Sequence, residues 1–362
     1  MAADSSVDVT AIQATLAAEG ASWTAGETSM SVLSTQERRI RLGADPPDGV
    51  ASFEDREEAA AAHAFGAGVS AGAPSKVDLT PYVQPIRNQG ACGSCVSFGT
   101  IATMEGTARF GARDPNLAID LSEAQLFYCH AKADGRTCST GWWPDRALDA
   151  VRDKGVVDEA CFPYTAGDQE CRTCADADER TSKITAWKHL GSIEEMKDWL
   201  ATAGPAVGCF KVYDDFFAYK TGVYRHQTGA AAGGHCVCII GYDDNQRAWI
   251  AKNSWGTTWG DGGFFRIGYG ECGIDFEMWG VDLPETQIDD VWLKRKQVSG
   301  TWAVAEPRNS SAFVVGSGWK NVGGGTDAEH LALLTTLQSA RASKTAVDVR
   351  LVNDRIVEVY VY

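Results

Sequence analysis

The sequence has no long apolar run: nowhere in its 362 residues do about 18 apolar residues follow one another, so no stretch reads as a membrane-crossing helix. Its first residues do not read as a leader. Met1-Ala2-Ala3-Asp4-Ser5-Ser6 offers neither a basic n-region nor an apolar h-region, so the expectation is a protein that stays where it is made, or one whose signal lies outside this sequence. Basic charge is scarce. Lys and Arg number 33 against 48 Asp and Glu, the formal net charge is −15, and no basic stripe interrupts the balance. That argues against nucleic acid and anionic membranes as partners, and mildly for basic substrates. Metal-binding clusters are missing as well. Cys171-Arg172-Thr173-Cys174 has no second pair at zinc-knuckle spacing, and His330 stands on its helix without clustered ligand partners.

What is present reads as globular: 44% hydrophobic and 22% charged residues, with length for two or three folding units. Eleven cysteines are an odd number, which fits one reactive thiol plus up to five pairs and leans toward an oxidising compartment. The missing leader leans toward the cytoplasm, so location stays open. Cys161 and Cys174 are near in sequence and could pair. Cys209, Cys236 and Cys238 are expected as buried free thiols, because free Cys packs as a small hydrophobe.

Chemistry concentrates in Asn88-Gln89-Gly90-Ala91-Cys92-Gly93-Ser94-Cys95-Val96-Ser97-Phe98, where Cys95 follows a tight Gly-Ser turn and opens an apolar run. That is a nucleophile at a helix start. The unpaired N–H groups there carry partial positive charge and are expected to lower the thiol's pKa, while the Gln89 amide could aim a donor at a developing oxyanion. Cys92 and Cys95 alone would also fit a redox or metal pair. A thiol needs a base, and about 140 residues on His235 lies in Gly233-Gly234-His235-Cys236-Val237, a turn entering an apolar strand. Asn253 in Ala251-Lys252-Asn253-Ser254-Trp255-Gly256 can accept from the far imidazole nitrogen, with Trp255 shielding that bond from water.

With these three motifs in order, residues 75 to 283 resemble the papain and cathepsin family of cysteine peptidases. The resemblance implies Gln89 as oxyanion donor, Cys95 as nucleophile, His235 as base and then acid, and Asn253 as orienter. It implies peptide hydrolysis through a thioester, with no metal or organic cofactor. It further implies disulfides Cys92–Cys138 and Cys129–Cys171, while the family's usual bridge to the Cys272 position lacks its partner. Val96 departs from the aromatic residue usual after the nucleophile, which lowers one wall of the cleft. The implied fold is α+β and two-lobed, a helical lobe and an antiparallel β-barrel lobe with the cleft between them. By position, Gly141 is expected to pair its backbone with an extended substrate, with Gly234 opposite and Trp142 and Trp143 near the subsite for the second residue before the cut. Glu277 falls at that subsite's floor, where it would accept Arg or Lys beside apolar side chains; a Glu turned to solvent is the rival placement.

Along the chain, Val9, Ile12 and Leu16 mark a helix ending at Gly20, and Gln36 to Gly43 a second. Residues 1–43 look like the distal half of the family's inhibitory propeptide, an intramolecular partner for the cleft; a permanent decoration is the rival reading. Residues 44–75, with Pro46-Pro47, an acidic patch and an Ala/Gly run, are expected as a linker with the activation site, apart from a helix over Glu54 to Phe65. Residues 76–284 form the peptidase domain. Residues 285–362 read as strands at Val291 to Lys296, Thr301 to Glu306 and Ala312 to Val315, a helix capped at Thr326, and a hairpin turning at Asn353-Asp354. A small mixed β domain, an OB-like barrel, is expected there, with no readable partner. Two other functions remain open at this level: a ligase or cyclase using the same acyl-enzyme, and a non-catalytic binding protein acting through its last domain.

Overall fold

The computed structural model describes residues 6–66, 74–284, 291–303, 310–314, 318–323, 326–352 and 355–361. The chain divides into two units, Met1–Pro284 and Glu285–Tyr362.

The first unit opens with α1 (Val9–Glu19), capped by the Asp8 carboxylate, which accepts from the Ala11 N–H, and closed by Gly20 at φ 62°. A short strand β1 (Trp23–Ala25) follows, then α2 (Thr35–Arg39), which starts in a reciprocal Ser34/Glu37 capping box. The sequence predicts this helix on to Gly43, but it ends at Arg39. One further turn is made, and then Gly43, Ala44 and Asp45 bond as a strand to Trp142 and Gly234, which takes the backbone groups a longer helix would use. Next come α3 (Phe53–Gly66) and β2 (Lys76–Asp78).

The central helix is α4 (Cys95–Ala112), buried on every side from Cys95 to Thr107, as a helix of small and apolar residues must be. After it run α5 (Glu123–Gln125), α6 (Pro144–Asp153), β3 (Ala186–Leu190), α7 (Ile193–Thr202), β4 (Ala206–Tyr213), β5 (Tyr219–Tyr224), β6 (Ala231–Asp243), β7 (Ala248–Lys252), β8 (Phe264–Gly268) and β9 (Met278–Asp282). The strands pair in the order β1-β5-β8-β7-β6-β4-β9-β3, with β2 on β6. Two apolar clusters meet along α4. One joins Val96, Ile101 and Met104 to Phe127, Leu148 and Val151 of the helical lobe, and the other joins Ala102 to Phe210 and Ile239 of the sheet.

Four disulfides staple this unit: Cys92–Cys138, Cys129–Cys171, Cys161–Cys174 and Cys209–Cys236. The last corrects the expectation of free thiols at Cys209 and Cys236. The β4–β6 register sets them directly opposite one another, a relation that neither strand's sequence displays. Cys95, Cys238 and Cys272 are free and buried.

The second unit holds β10 (Val291–Lys296), β11 (Val298–Ala303), β12 (Ser310–Val314), β13 (Gly318–Val322), α8 (Asp327–Ser343), β14 (Val347–Val352) and β15 (Arg355–Val361). Leu334, Leu337 and Ala340 of α8 pack on Val298, Ala312, Val314, Val347, Val349 and Ile356. The strand order β10-β14-β15-β13-β12-β11 is an open path among the described residues, so this is a helix-covered mixed sheet rather than an OB-like closed barrel. Burial of one face under α8 removes the need for closure. The hairpin tip Asn353-Asp354 lies outside the described residues. His330 is buried, its Nδ1 on Gly323 O at 2.9 Å and its Nε2 on Ser310 Oγ at 3.2 Å, a satisfied core histidine. Among the described residues no helix is long and apolar enough to cross a membrane.

Candidate active site

Cys95 is the first residue of α4, and the turn before it is fixed from behind. Gly93 donates its N–H to Cys138 O at 2.8 Å, beside the Cys92–Cys138 bond. Gly99, one turn along, lets α4 approach β6, since a Cβ there would lie 3.2 Å from Val237 O. That brings the helix start to the strand carrying His235.

The His235 ring bonds through Nε2 to Asn253 Oδ1 at 2.8 Å, and Trp255 covers it with ring centroids 4.5 Å apart. An amide oxygen only accepts, so Nε2 carries the hydrogen and Nδ1 keeps the basic lone pair. That Nδ1 is buried without a hydrogen-bond partner. Gln89 is held at both ends: its Oε1 accepts from Ser254 Oγ at 2.7 Å, and its Nε2 donates to Cys92 O at 2.7 Å and to Arg41 O at 3.1 Å. Gln89, Cys95, His235, Asn253 and Trp255 are therefore gathered into one place.

Both titrating groups are fully buried. Burial pushes the Cys95 thiol up to about 11, against hydrogen bonds from the backbone of Cys236, Gly43 and Val96. Burial pulls His235 down to about 4, against the Asn253 bond. The expected lowering of the thiol's pKa is thus corrected. Partial charges at a helix end are outweighed once the chain itself excludes water from the sulfur.

The covering strand is the chain's own. Trp142 N–H donates to Gly43 O at 2.8 Å, Asp45 N–H to Trp142 O at 3.1 Å, and Ala44 N–H to Gly234 O at 3.1 Å. A Cβ on Gly43 would stand 1.9 Å from Gly93 O, so only glycine passes at this point. The pairing backbone is that of Trp142, one residue beyond the expected Gly141. Gly141 supplies room instead: it sits at φ 61°, and a Cβ there would meet Gly43 O at 2.2 Å. Gly234 is likewise hemmed in, by Phe53 and Ala44.

Beyond this strand α3 fills a pocket. The Arg56 guanidinium lies between the rings of Trp143 (4.7 Å) and Phe276 (4.8 Å) and reaches Glu277 Oε1 at 2.5 Å. Glu277 therefore points inward, where slippage by one residue would have turned it to solvent. Phe53 packs edge-on to Trp143, with centroids 6.1 Å apart. Glu54 and Glu57 both pair with Lys211, and Tyr213 donates to Glu57. The helix expected over Glu54 to Phe65 is present as α3, but the role of Arg56 was missed, because the segment around that helix was read as linker. The signal available was Phe53 and Arg56 three residues apart, on one face of a helix. Among the described residues no group of three His, Cys, Asp or Glu could hold a metal ion.

Two lobes that meet at a helix-borne thiol and an amide-tethered imidazole define the class of cysteine peptidases. Residues 73–280 match the family described as papain family cysteine protease, and the chain belongs to that family. It is 34% identical over 225 residues to the cathepsin B-like CP3 of Giardia intestinalis, covering 58% of this chain and 74% of that protein. A cathepsin L-like proteinase of Fasciola hepatica is 34% identical over 211 residues, covering 56% of this chain and 63% of the relative. Among solved structures, procathepsin B S9 from Trypanosoma congolense superposes with a TM-score of 0.62 at 26% identity, covering 76% of this chain and 97% of that one. The recombinant stem bromelain precursor gives 0.59 at 26% identity, covering 76% and 89%.

Proposed function

We propose that this chain is a self-inhibited cysteine endopeptidase in which Cys95 is the nucleophile, His235 the base and then acid, Asn253 the orienter and Gln89 the oxyanion donor. The observation that carries it is the Gln89 amide: its Oε1 is pinned by Ser254, and its Nε2, which also donates to Cys92 O, donates to Arg41 O of the covering segment. A substrate carbonyl placed there would have its developing negative charge met by a donor that need not reorganise. The Cys95 sulfur attacks the carbonyl carbon, and its proton passes to His235 Nδ1. The tetrahedral oxyanion collapses to a thioester as His235 protonates the leaving amine, and a water deprotonated by His235 then releases the acid.

Residues 41–57 act as the inhibitor. They put a strand on Trp142 and Gly234 and a basic side chain on Glu277, a course that fits the family's non-productive binding of its propeptide. We assign the pocket of Trp143, Phe276 and Glu277 to the side chain two residues before the cut, open to apolar side chains and to Arg. Arg56 supports this by sitting there itself.

The test is hydrolysis of Phe-Arg and Arg-Arg dipeptidyl coumarin amides by the full chain and by Cys95→Ser, with reductant, before and after mildly acidic incubation. Expected is activity that appears after acid with a mass loss mapping between Ala44 and Ser75, and none from Cys95→Ser. A silent wild type whose Cys95 still alkylates after that mass loss would overturn the assignment. An unchanged Arg-to-Phe rate ratio in Glu277→Ala would overturn the pocket's chemistry.

A further inference from the structure

His189 lies on the far side of Glu277 from Arg56. Its Nδ1 is 3.0 Å from Glu277 Oε2, while Arg56 holds Oε1. The ring stands between Trp187 and Trp279, with centroids at 5.3 and 5.6 Å. Asp145 faces the other nitrogen at 3.7 Å and accepts the Trp279 indole N–H at 2.6 Å. Nearby, Asp149 accepts from the Trp187 indole and pairs with Arg152 at 2.9 Å, and the Lys188 ammonium lies over Trp199. One carboxylate is thus shared between a permanent cation in the pocket and an imidazole in its wall.

We propose that His189 is a positioning residue for the pocket's selectivity: it orients Glu277 toward a basic side chain and weakens that preference on acidification. This rests on the assignment of the pocket given above. A neutral His189 donates its Nδ1 hydrogen to Oε2, fixing the carboxylate with its full charge and leaving Oε1 to a guanidinium. Imidazoles change charge in the range of about pH 5 to 8. A protonated His189 lies between Glu277 and Asp145 and satisfies Glu277's charge from within the wall, so the guanidinium competes with it rather than being supported by it. The same exchange loosens Arg56, because Arg56 is the pocket's resident guanidinium.

The test is the ratio of kcat/KM for Arg-Arg over Phe-Arg substrates from pH 8 to pH 4.5, in acid-treated wild type, His189→Asn, His189→Leu and Glu277→Ala. Asn keeps a donor near Nδ1 but cannot gain charge. Wild type should lose about tenfold of its ratio on acidification, in line with about 1.4 kcal/mol of differential interaction. His189→Asn should match it at pH 8 and hold its ratio to lower pH, until Glu277 itself protonates. His189→Leu should have a lower ratio at pH 8. A His189→Asn curve that overlays wild type overturns the proposal while leaving the pocket assignment standing; a Glu277→Ala ratio equal to that of wild type at pH 8 removes the assignment itself. The same comparison needs no turnover when read as Cys95 alkylation in the untreated full chain. There, acid should speed wild type over His189→Asn at equal pH, and equal rates overturn the proposal.

Discussion

The N-terminal segment grips the enzyme with two arms of different physics. Residues up to Leu33 hold by apolar burial: Ile12, Leu16, Trp23 and Met30 join the core cluster of the sheet, and β1 adds itself to the edge of β5. The α3 arm adds charge to burial: beside Phe53, which joins the cluster of the helical lobe, it sets Arg56 on Glu277, and Glu54 and Glu57 on Lys211. Between them the strand at Gly43 and Ala44 closes the site. An apolar contact is insensitive to moderate pH and salt, whereas an exposed carboxylate such as Glu54 is screened by salt and protonated by acid; the Arg56–Glu277 pair is buried. The outer edge of the α3 arm is therefore expected to answer to salt and acid where the N-terminal arm does not.

The comparison breaks most severely at Trp23. This side chain is buried among Tyr219 and Tyr224 and donates its indole N–H to Arg225 O at 2.9 Å. Trp23→Ala should cost about 3 to 5 kcal/mol of anchoring, the usual range for emptying such a site. Hydrogen exchange should show α1 and β1 released together, with Cys95 alkylation faster at every pH. Release of α1 alone would mean that the apolar arm is not one unit.

Acid is next in size. His235 is held at about 4 under the cover, below the ordinary imidazole value of about 6.5, so the covered form disfavours the proton. Its stability is complete above pH 6.5 and falls as pH drops from there to about 4, by about 3 kcal/mol if the opened form restores the ordinary value. Amide exchange of residues 41–45 in Cys95→Ser, where no thiol complicates the titration, should accelerate through that window. His235→Gln should flatten the response, and an unchanged slope in that variant would place the sensitivity elsewhere.

The smallest effect belongs to the outermost pair. Glu54 is 71% exposed, so Glu54→Gln should change opening by less than about 1 kcal/mol, and 0.5 M salt should mimic it. If Glu54→Gln opened the cleft as far as Trp23→Ala, the contrast between the arms would fail.

Much of the site was legible along the chain because its parts are local. A thiol after a tight turn, a histidine at the mouth of an apolar strand and an Asn two residues before a Trp each carry their role in neighbouring residues. The end of α1 at Gly20 and the start of α8 at Thr326 were legible for the same reason: caps are chemistry between residues three or four apart. What failed needed a partner distant in sequence. The early end of α2 follows from strand bonds to Trp142 and Gly234, and the one-residue offset between Gly141 and Trp142 appears only when a strand is laid on it. The Arg56, Glu277 and His189 array draws on α3, the approach to β9, and β3, and no local pattern links them.

The sequence by itself determined the family, the local motifs around Cys95, His235 and Asn253, and the helices with strong caps, because backbone geometry and short-range spacing fix these before the chain closes. The tertiary structure alone decided that Cys209 meets Cys236, that the thiol and imidazole are neutral under cover, and that a helix from the supposed linker fills the pocket. Register, burial and long-range pairing are properties of surfaces brought together, and the pKa of a buried group follows the solvent it has lost rather than the residues beside it in the chain.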